Sequence, residues 1–185
     1  MVKTKKIQIC EDFINMPQGI TASIDKGVFT VKGPKGEISR NFFSPITNIE
    51  VKENKIVVSS KKGKRKQKTM VNTTLSHIKN MLNGIKEGHV YKLKICASHF
   101  PMNVSVKGKE FIVENFIGEK VPRKIKIKDK VDIKIEGDIV TVYSLYKEIA
   151  GNMASDIEHM MKRAAYDRRI FQDGIYMISK DGEEL

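Results

Sequence analysis

The chain has 185 residues, and 40% of them are hydrophobic, which is enough for one large domain or two small ones and excludes a wholly disordered protein. Its formal net charge of +12 favours an anionic partner, such as nucleic acid or an acidic membrane surface. The charge is uneven, because residues 1–82 have 16 Lys and Arg against 6 Asp and Glu, whereas residues 83–185 have 18 against 16. The second half therefore needs local basic patches if it also binds a polyanion.

The sequence predicts neither a membrane span nor a signal peptide. The longest uncharged stretches, such as residues 95–106, are shorter than the roughly 18 residues of a transmembrane helix, and residues 1–12 lack an apolar signal core. Cys10 and Cys96 are far apart in the chain and could form one disulfide, but two thiols in a reducing compartment are favoured. We expect a soluble cytoplasmic protein without a membrane partner.

The first part of the chain predicts strands, because apolar and polar residues alternate there. Turn residues, as in the segment 25–27, separate the alternating runs. The predicted strands are residues 20–24, 28–32 and 37–42.

The segment VKGPKGE at residues 31–37 predicts a hairpin tip. Its glycines are three residues apart and a strand follows them, whereas the phosphate-binding loops of enzymes have other glycine spacings and open a helix. Pro34 restricts φ and the glycines permit positive φ, as a tight turn requires. We expect Lys32 and Lys35 to be exposed as RNA contacts, with a solvated turn that has no partner as the alternative.

The basic segment KKGKRKQK at residues 61–68 contains six positive charges and no apolar residue. It predicts either a solubilising loop or an arm that orders on a phosphate backbone. A helix is predicted after it, from apolar residues with steps of four and three that end near Asn83 and Gly84, where a C-cap is expected. These apolar residues are Val71, Leu75, Ile78, Leu82 and Ile85.

The second half predicts the same kinds of element. Alternating runs indicate strands at residues 91–95, 103–106, 110–114, 124–128 and 131–135. A helix is predicted from the spacing of Ile149, Met153, Ile157, Met160 and Ala164.

Lysines alternate with isoleucines in KIKIK at residues 124–128. A strand there would direct three ammonium groups to one side and bury the isoleucines on the other, and Lys92 and Lys94 repeat the pattern around Leu93. Residues on one face of a strand are roughly 7 Å apart, close to the spacing of backbone phosphates. Because such a ladder repels itself unless an anion neutralises it, we interpret it as an RNA-binding feature.

The stretch after the second helix is rich in arginine and aromatic residues. Arg163, Arg168 and Arg169 are predicted at the helix end, where they suit the helix dipole and phosphate recognition, and capping alone is the alternative. Phe171, Ile175 and Tyr176 are expected to dock the chain around a turn at Asp173 and Gly174, and KDGEEL at residues 180–185 is expected to be a free tail.

The two halves of the chain resemble each other. FTVKGPKGEISR at residues 29–40 aligns with FIVENFIGEKVPR at residues 111–123 at an offset of 82. IEVKENKIVVSS at residues 49–60 aligns with VDIKIEGDIVTVY at residues 131–143 at an offset of 82 or 83. Since each half then continues into a helix, we infer a duplicated unit.

The predicted fold is α+β, a tandem duplication of a unit in which an antiparallel β-sheet packs on one helix. The predicted domains are residues 1–82 and residues 83–185, the second with a short polar tail.

No motif predicts catalysis. The four histidines are scattered without metal-binding spacing, no GxSxG motif occurs, and the carboxylates are interleaved with lysines. We therefore expect no enzymatic activity, no metal, no cofactor and no small-molecule substrate. A metal-dependent nuclease is the rival from another class, and it would need convergent carboxylates on a strand–helix face.

Four ordered motifs resemble one family, the large-subunit ribosomal protein called number six in bacteria and number nine in eukaryotes. Residues 31–42 resemble its first-domain hairpin, and residues 77–104 resemble its interdomain segment in the archaeal and eukaryotic branch. ENFIGEK at residues 114–120 and RIFQDGIYMISK at residues 169–180 resemble motifs of its second domain.

The resemblance implies a duplicated α+β protein of the large subunit, whose second domain lies on rRNA near the sarcin–ricin loop and the base of the stalk. Two positions depart from the family pattern: Tyr166 stands where a basic residue is common, and His159 where glutamine is common. Tyr166 therefore either stacks on a base or packs within the protein. The implied RNA contacts and their neighbours are Lys120, Arg123, Lys124, Arg163, Arg168 and Arg169.

We predict a structural constituent of the large ribosomal subunit that binds and holds rRNA beside neighbouring ribosomal proteins near the stalk base. Lysine and arginine side chains would neutralise phosphates, and base reading would be minor because helical RNA is recognised mainly by shape and backbone. The alternative is a free RNA-binding or RNA-chaperone module outside the ribosome.

Overall fold

The computed structural model describes residues 10–52, 55–60, 63–163, 166–167 and 169–185. The chain forms two compact units, and the division lies between Glu87 and Gly88.

The first unit has six strands followed by one helix. They are β1 (Cys10–Asn15), β2 (Thr21–Asp25), β3 (Val28–Gly33), β4 (Gly36–Asn41), β5 (Thr47–Lys52), β6 (Lys55–Ser60) and α1 (Arg65–Lys86). The strands form two antiparallel three-stranded sheets, in the orders β2-β3-β4 and β1-β6-β5.

Helix α1 buries the apolar stripe that predicted it. It continues past Asn83 and Gly84 to Lys86, beyond the predicted C-cap, and Gly84 is itself buried within the helix. The continuation is explained by the packing of Ile85, which is completely buried. A Cβ atom at Gly33 would lie 2.2 Å from Ile85 Cγ2, so the first glycine of VKGPKGE allows β3 to approach the helix closely.

The second unit has eight strands, a 3-10 turn and one helix. They are β7 (His89–Cys96), β8 (Asn103–Lys107), β9 (Glu110–Glu114), the 3-10 turn (Phe116–Gly118), β10 (Arg123–Lys126), β11 (Asp132–Glu136), β12 (Ile139–Ser144), α2 (Lys147–Met160), β13 (Gly174–Lys180) and β14 (Glu183–Glu184). One sheet has the order β8-β9-β10 and the other the order β11-β12-β7-β13-β14. Helix α2 contributes Met153 and Ile157 to a core that also contains Leu93, Phe111 and Ile175.

The strand pairing confirms the predicted duplication. The orders β2-β3-β4 and β1-β6-β5 of the first unit recur as β8-β9-β10 and β7-β12-β11 in the second. Ala22 pairs with Val31 in the first unit, and Val104 pairs with Val113 in the second, which is the predicted offset of 82. Each unit therefore repeats one α+β arrangement, and the sheet predicted for each unit is in fact a pair of antiparallel sheets.

The later part of the repeat has a different offset from the predicted one. Ile49 pairs with Val58 in the first unit, and Ile133 pairs with Val142 in the second, an offset of 84 rather than 82 or 83. The insertion lies in the connection from β9 to β10, two strands of one sheet, which is longer than the connection from β3 to β4 in the first unit. An alignment of the two halves by identical residues could not locate this insertion.

The C-terminal part of the chain differs most from the sequence-based expectation. Helix α2 ends at Met160, and Ala164, which was predicted to continue it, lies outside the described residues. Residues 180–185, predicted to be a free tail, belong to a hairpin instead: β13 and β14 pair, with Lys180 opposite Glu183. Strand β13 pairs antiparallel with β7, so the hairpin extends the sheet at that edge of β7.

Candidate RNA-binding surface

Strand β10 presents the lysine ladder that the alternation predicted. Lys124 and Lys126 are exposed, whereas Ile125 and Ile127 pack against the hydrophobic core. In the described part of the chain, the ammonium groups of Lys124 and Lys126 have no hydrogen-bonding or ion-pairing partner. Lys128, beyond the strand, forms an ion pair with Asp156 at 2.5 Å.

Arg123, at the start of β10, is bound by the protein itself. Its Nε and Nη2 atoms donate to the two carboxylate oxygens of Glu119 at 2.8 and 2.7 Å, and Nη1 donates to the backbone oxygen of Met160 at 2.5 Å. The guanidinium also lies over the Phe116 ring, 4.4 Å from its centroid. With its side chain 19% exposed, Arg123 joins the loop before β10 to the end of α2, and its predicted contact with RNA stays a prediction.

Glu119 lies between two arginines. Arg163 Nη1 is 3.6 Å from its Oε1, the same oxygen that accepts from Arg123 Nη2. The hydrogen bonds from Arg123 lower the pKa of Glu119 against the opposing effect of burial, and the charges of Arg123 and Arg163 lower it further. Because one carboxylate carries a single negative charge against the two positive charges of the guanidinium groups, the local charge remains positive.

The loop that carries Glu119 has an unusual backbone. Asn115 and Ile117 both have positive φ, at 60° and 48°, and Gly118 follows with a φ of 75°. This conformation is rare for a β-branched residue and typically costs about 1–3 kcal/mol, so surrounding contacts must maintain it. Asn115 Nδ2 provides one of them by donating to the Pro101 oxygen at 3.0 Å.

Lys120 follows this loop and is exposed. Among the described residues, no acid or hydrogen-bond acceptor contacts its side chain. Lys120, Lys124 and Lys126 are therefore accessible cations next to Arg123, which is internally bound. We name these three lysines the β10 lysine cluster.

A chain of stacked side chains follows the end of α2. The Arg163 guanidinium lies 4.2 Å from the centroid of the Tyr166 ring, and Tyr166 meets Phe171 edge to face at 4.9 Å. Phe171 in turn lies 4.9 Å from the His99 ring. Tyr166, one of the two departures from the family pattern, thus has contacts within the protein while its side chain remains 37% exposed.

Asp173 fixes the far end of this chain of rings. Its Oδ1 accepts the backbone N–H groups of Ser98 and His99 at 2.6 and 3.0 Å, and its Oδ2 is 2.5 Å from His99 Nδ1. Burial raises the pKa of Asp173, but the hydrogen bonds from His99 and Ser98 outweigh burial and lower it overall. The aspartate of the FQDGIY motif is therefore a structural anchor for the loop at residues 97–102.

The rings of Tyr166 and Phe171 border an open cavity of about 150 Å³ within the second unit. Its lining includes four aromatic residues, Phe116, Tyr166, Phe171 and Tyr176, and two cationic residues, Lys162 and Arg163.

The remaining predicted arginines lie in the same stretch. Arg169 is 90% exposed and pairs with Asp167, with Nη2 2.9 Å from Oδ2 and Nε 3.2 Å from Oδ1. Arg168 lies outside the described residues. His159, the other departure from the family pattern, is exposed in the last turn of α2.

In the first unit, both predicted lysines of the hairpin tip have partners within the protein. The exposed Lys32 forms an ion pair of 3.2 Å with Glu37, its cross-strand neighbour. The ammonium of Lys35 donates to the backbone oxygen of Glu87 at the end of α1, where a cation suits the helix dipole. The β3–β4 hairpin is confirmed, and its lysines remain predicted contacts.

The basic segment at residues 61–68 is not wholly a loop. Residues 61 and 62 lie outside the described residues, and α1 begins at Arg65, so Arg65, Lys66 and Lys68 occupy its first turn. That turn contains no acidic residue, although negative charge is what the helix dipole favours there. Within this turn, the cations therefore have no acidic residue beside them.

Within the described ranges, no group of three or more His, Cys, Asp or Glu residues could hold a metal ion. The helices of the described residues include none that is long and apolar enough to cross a bilayer.

Sequence reasoning missed Glu119, Phe116 and Asp173 as organisers of this surface. The four-residue spacing of Glu119 and Arg123 was visible, but outside a helix such spacing does not predict contact. The Asp173 contact joins residues 74 positions apart and leaves no local signal.

The fold and surface define a duplicated α+β protein that exposes uncompensated cations beside an aromatic cavity. Its two repeats match the family described as Ribosomal protein L6, over residues 16–88 and 100–174, and the chain belongs to that family.

Similar proteins come from archaea. The large ribosomal subunit protein uL6 of Methanosarcina mazei is 43% identical over 167 residues, covering 90% of this chain and 95% of the relative. Those of Nanoarchaeum equitans and Methanobrevibacter smithii are 40% and 39% identical, covering 97% and 91% of this chain and 98% and 94% of the relatives. All three are ribosomal proteins by name, in agreement with the expectation of a protein that is not an enzyme.

Proposed function

We propose that the chain is a structural constituent of the large ribosomal subunit in the cytoplasm, where it binds and holds rRNA. The names of the archaeal relatives and the family match across both units support this role. The observation that carries the RNA-binding part is the β10 lysine cluster. Its three ammonium groups, at Lys120, Lys124 and Lys126, have no internal partner in the described part of the chain.

The β10 lysine cluster binds backbone phosphates, and its geometry comes from the strand. Lys124 and Lys126 project from the same face of β10, so their spacing is fixed by the backbone rather than by flexible side chains. Arg123 and Glu119 hold the loop that carries Lys120 against the end of α2. RNA contact is thus divided between exposed lysines that bind and a partly buried arginine that positions them.

The finer placement comes from the family resemblance. We propose that the second unit rests on rRNA near the sarcin–ricin loop and the stalk base, beside neighbouring large-subunit proteins, and that the two units act as separate domains. Two linked RNA-binding domains raise the effective concentration of the second contact once the first has formed.

Salt dependence of binding tests the phosphate mechanism. Each neutralised phosphate contributes roughly −0.7 to −0.9 to the slope of log affinity against log salt, so about six phosphates give a slope of roughly −4 to −5. The measurement is filter binding of the purified chain to a large-subunit rRNA fragment across a salt series. A slope near zero would reject phosphate-dominated binding.

A free RNA-binding or RNA-chaperone module is the second candidate, since it would expose the same cations. Sedimentation of a cell lysate separates the two. A constituent of the subunit sediments with large subunits in a one-to-one ratio, whereas a free module remains at the top of the gradient.

A further inference from the structure

We propose that the cavity lined by Phe116, Tyr166, Phe171, Tyr176, Lys162 and Arg163 binds one unstacked RNA base. We call it the aromatic cavity. This inference rests on the proposed function, because it names a second contact with the same polyanion. It goes beyond the phosphate mechanism, because it assigns to this protein a site for a base.

The size of the cavity suits a single flat ring system. Its volume is about 150 Å³, and a cavity of about this volume in an engineered protein core binds benzene. The aromatic cavity is open to solvent, so a base can enter with its ribose and phosphate remaining outside. A base within a helix is excluded, because its neighbours in the stack would collide with the lining.

The lining offers the contacts that single-stranded RNA-binding proteins use. Bases of single strands stack on exposed aromatic side chains. Tyr166 and Tyr176 are 37% and 42% exposed and border the aromatic cavity from different elements, the segment after α2 and strand β13. The exposed parts of these two rings form an apolar surface at one concave site, and a ligand can cover that surface.

The position of Tyr176 is built into the backbone. A Cβ atom at Gly174 would lie 3.1 Å from Tyr176 Cζ, so the ring lies close over the glycine backbone. The Tyr166 ring is held between Arg163 and Phe171. The rings are therefore positioned before any ligand binds, which reduces the entropy that binding must offset.

The charges at the aromatic cavity identify a nucleotide rather than an aliphatic side chain as the ligand. Lys162 is exposed, and the Arg163 guanidinium stacks on Tyr166, so both can reach the phosphate attached to an inserted base. Glu158 also lines the cavity, and its carboxylate can accept an N–H group from a base edge. Asp173 also lines the cavity, so its charged groups are two cations and two carboxylates.

The test compares three single-stranded RNA probes bound to the full chain: a hexaadenylate, a hexauridylate and an abasic ribose-phosphate hexamer of equal charge. Stacking contributes about 1–3 kcal/mol per base, so the abasic probe should bind roughly 5- to 150-fold more weakly than either of the others. Tyr166→Leu should remove most of this difference and leave binding of the abasic probe unchanged. Tyr166→Phe should retain it.

Tyr146→Leu is the matched control. Tyr146 also carries a cation over its ring, Lys130 at 4.6 Å, but it does not line the aromatic cavity. Its substitution should leave the preference for base-containing probes intact. Unchanged binding of the abasic probe shows that each variant is folded.

Two results would overturn the proposal, and they differ in what they imply. If the abasic and base-containing probes bind equally, with the same steep salt dependence, the base site is wrong and the phosphate mechanism stands. If none of the probes binds but the large-subunit rRNA fragment does, the base site is wrong and the phosphate mechanism stands; if the fragment does not bind either, the proposed RNA-binding function fails together with the base site.

Discussion

Arg123 and Glu119 form a bidentate ion pair, with their nitrogen and oxygen atoms 2.7 and 2.8 Å apart, and this pair joins a strained loop to the first residue of a strand. The third guanidinium nitrogen reaches the end of α2. Three elements of the second unit thus meet at one side chain. The pair explains how the start of β10 and the loop that carries Lys120 are held in place.

Replacement of Arg123 by alanine should destabilise the protein. The change leaves the half-buried Glu119 carboxylate with only its longer contact to Arg163 and removes the donor to the Met160 carbonyl, and we expect the free energy of unfolding to fall by about 1–3 kcal/mol. Arg123→Lys should lose part of this amount, because an ammonium cannot make the bidentate contact. Urea denaturation measures both changes.

Arg169→Ala is the control for that experiment. Arg169 is also paired with an aspartate, but its side chain is 90% exposed. We expect its substitution to leave the unfolding transition unchanged. Equal losses for Arg123→Ala and Arg169→Ala would contradict the structural role assigned to Arg123.

Acid should weaken the second unit through Glu119. The folded state lowers the pKa of this carboxyl from its ordinary value of 4.5, so its ion pairs contribute stability that is complete above pH 4.5 and is lost as the pH falls towards the folded-state pKa. Glu119→Gln should therefore be less stable than the parent chain at pH 7 and lose less stability on acidification. A parallel pH dependence of the two proteins would show that Glu119 is not responsible.

Substitution of the whole β10 lysine cluster by alanine should weaken RNA binding without unfolding. The loss of Lys120, Lys124 and Lys126 should make the slope of log affinity against log salt shallower by about 2 to 3, since each phosphate contact contributes roughly 0.7 to 0.9. Filter binding to the rRNA fragment gives the slope.

A second triple variant with the same change in net charge separates local contact from bulk charge. Lys107, Lys109 and Lys128 are each paired with an acid of the same unit. Their replacement by alanine should change the slope of log affinity against log salt by less than the roughly 0.7 to 0.9 that one phosphate contact contributes. Equal effects of the two triple variants would mean that the β10 lysine cluster contributes to binding only through its net charge.

An acidic residue in the first turn of α1 should stabilise the protein. Lys66→Glu places a negative charge at the positive end of the helix dipole and should raise the free energy of unfolding by about 0.3–1 kcal/mol. Lys79→Glu, at an exposed position in the middle of α1, makes the same charge change away from the helix end and should not stabilise. A loss of stability in Lys66→Glu would show that the cations of this turn have partners that stabilise the fold.

The sequence predicted the duplicated fold because its strongest signals fall on central strands. Phe29 and Phe111 occupy equivalent positions on β3 and β9, and both are completely buried, so they recur for the same packing reason. The C-terminal hairpin could not be predicted in this way. Its second strand, β14, has only two residues, both acidic, and the hairpin forms along an edge of β7, which is a property of the fold.

The β10 lysine cluster was predictable and the role of Arg123 was not. Alternation of Lys124 and Lys126 with isoleucine determines which side chains face outward, and local spacing is sufficient for that inference. Whether Arg123 faces RNA or binds Glu119 depends on a loop with two non-glycine residues at positive φ. No pattern of residue types predicts such a loop, so the internal partners of Arg123 could not be predicted from the sequence.

Retention of the chain on purified large subunits through a high-salt wash tests the central claim most directly. If the protein is built into the subunit by many phosphate contacts from two linked domains, it should remain in a one-to-one ratio with the large-subunit rRNA after the wash. Its complete release into the supernatant, with the rRNA and the other proteins still pelleting together, would contradict a structural role in the subunit.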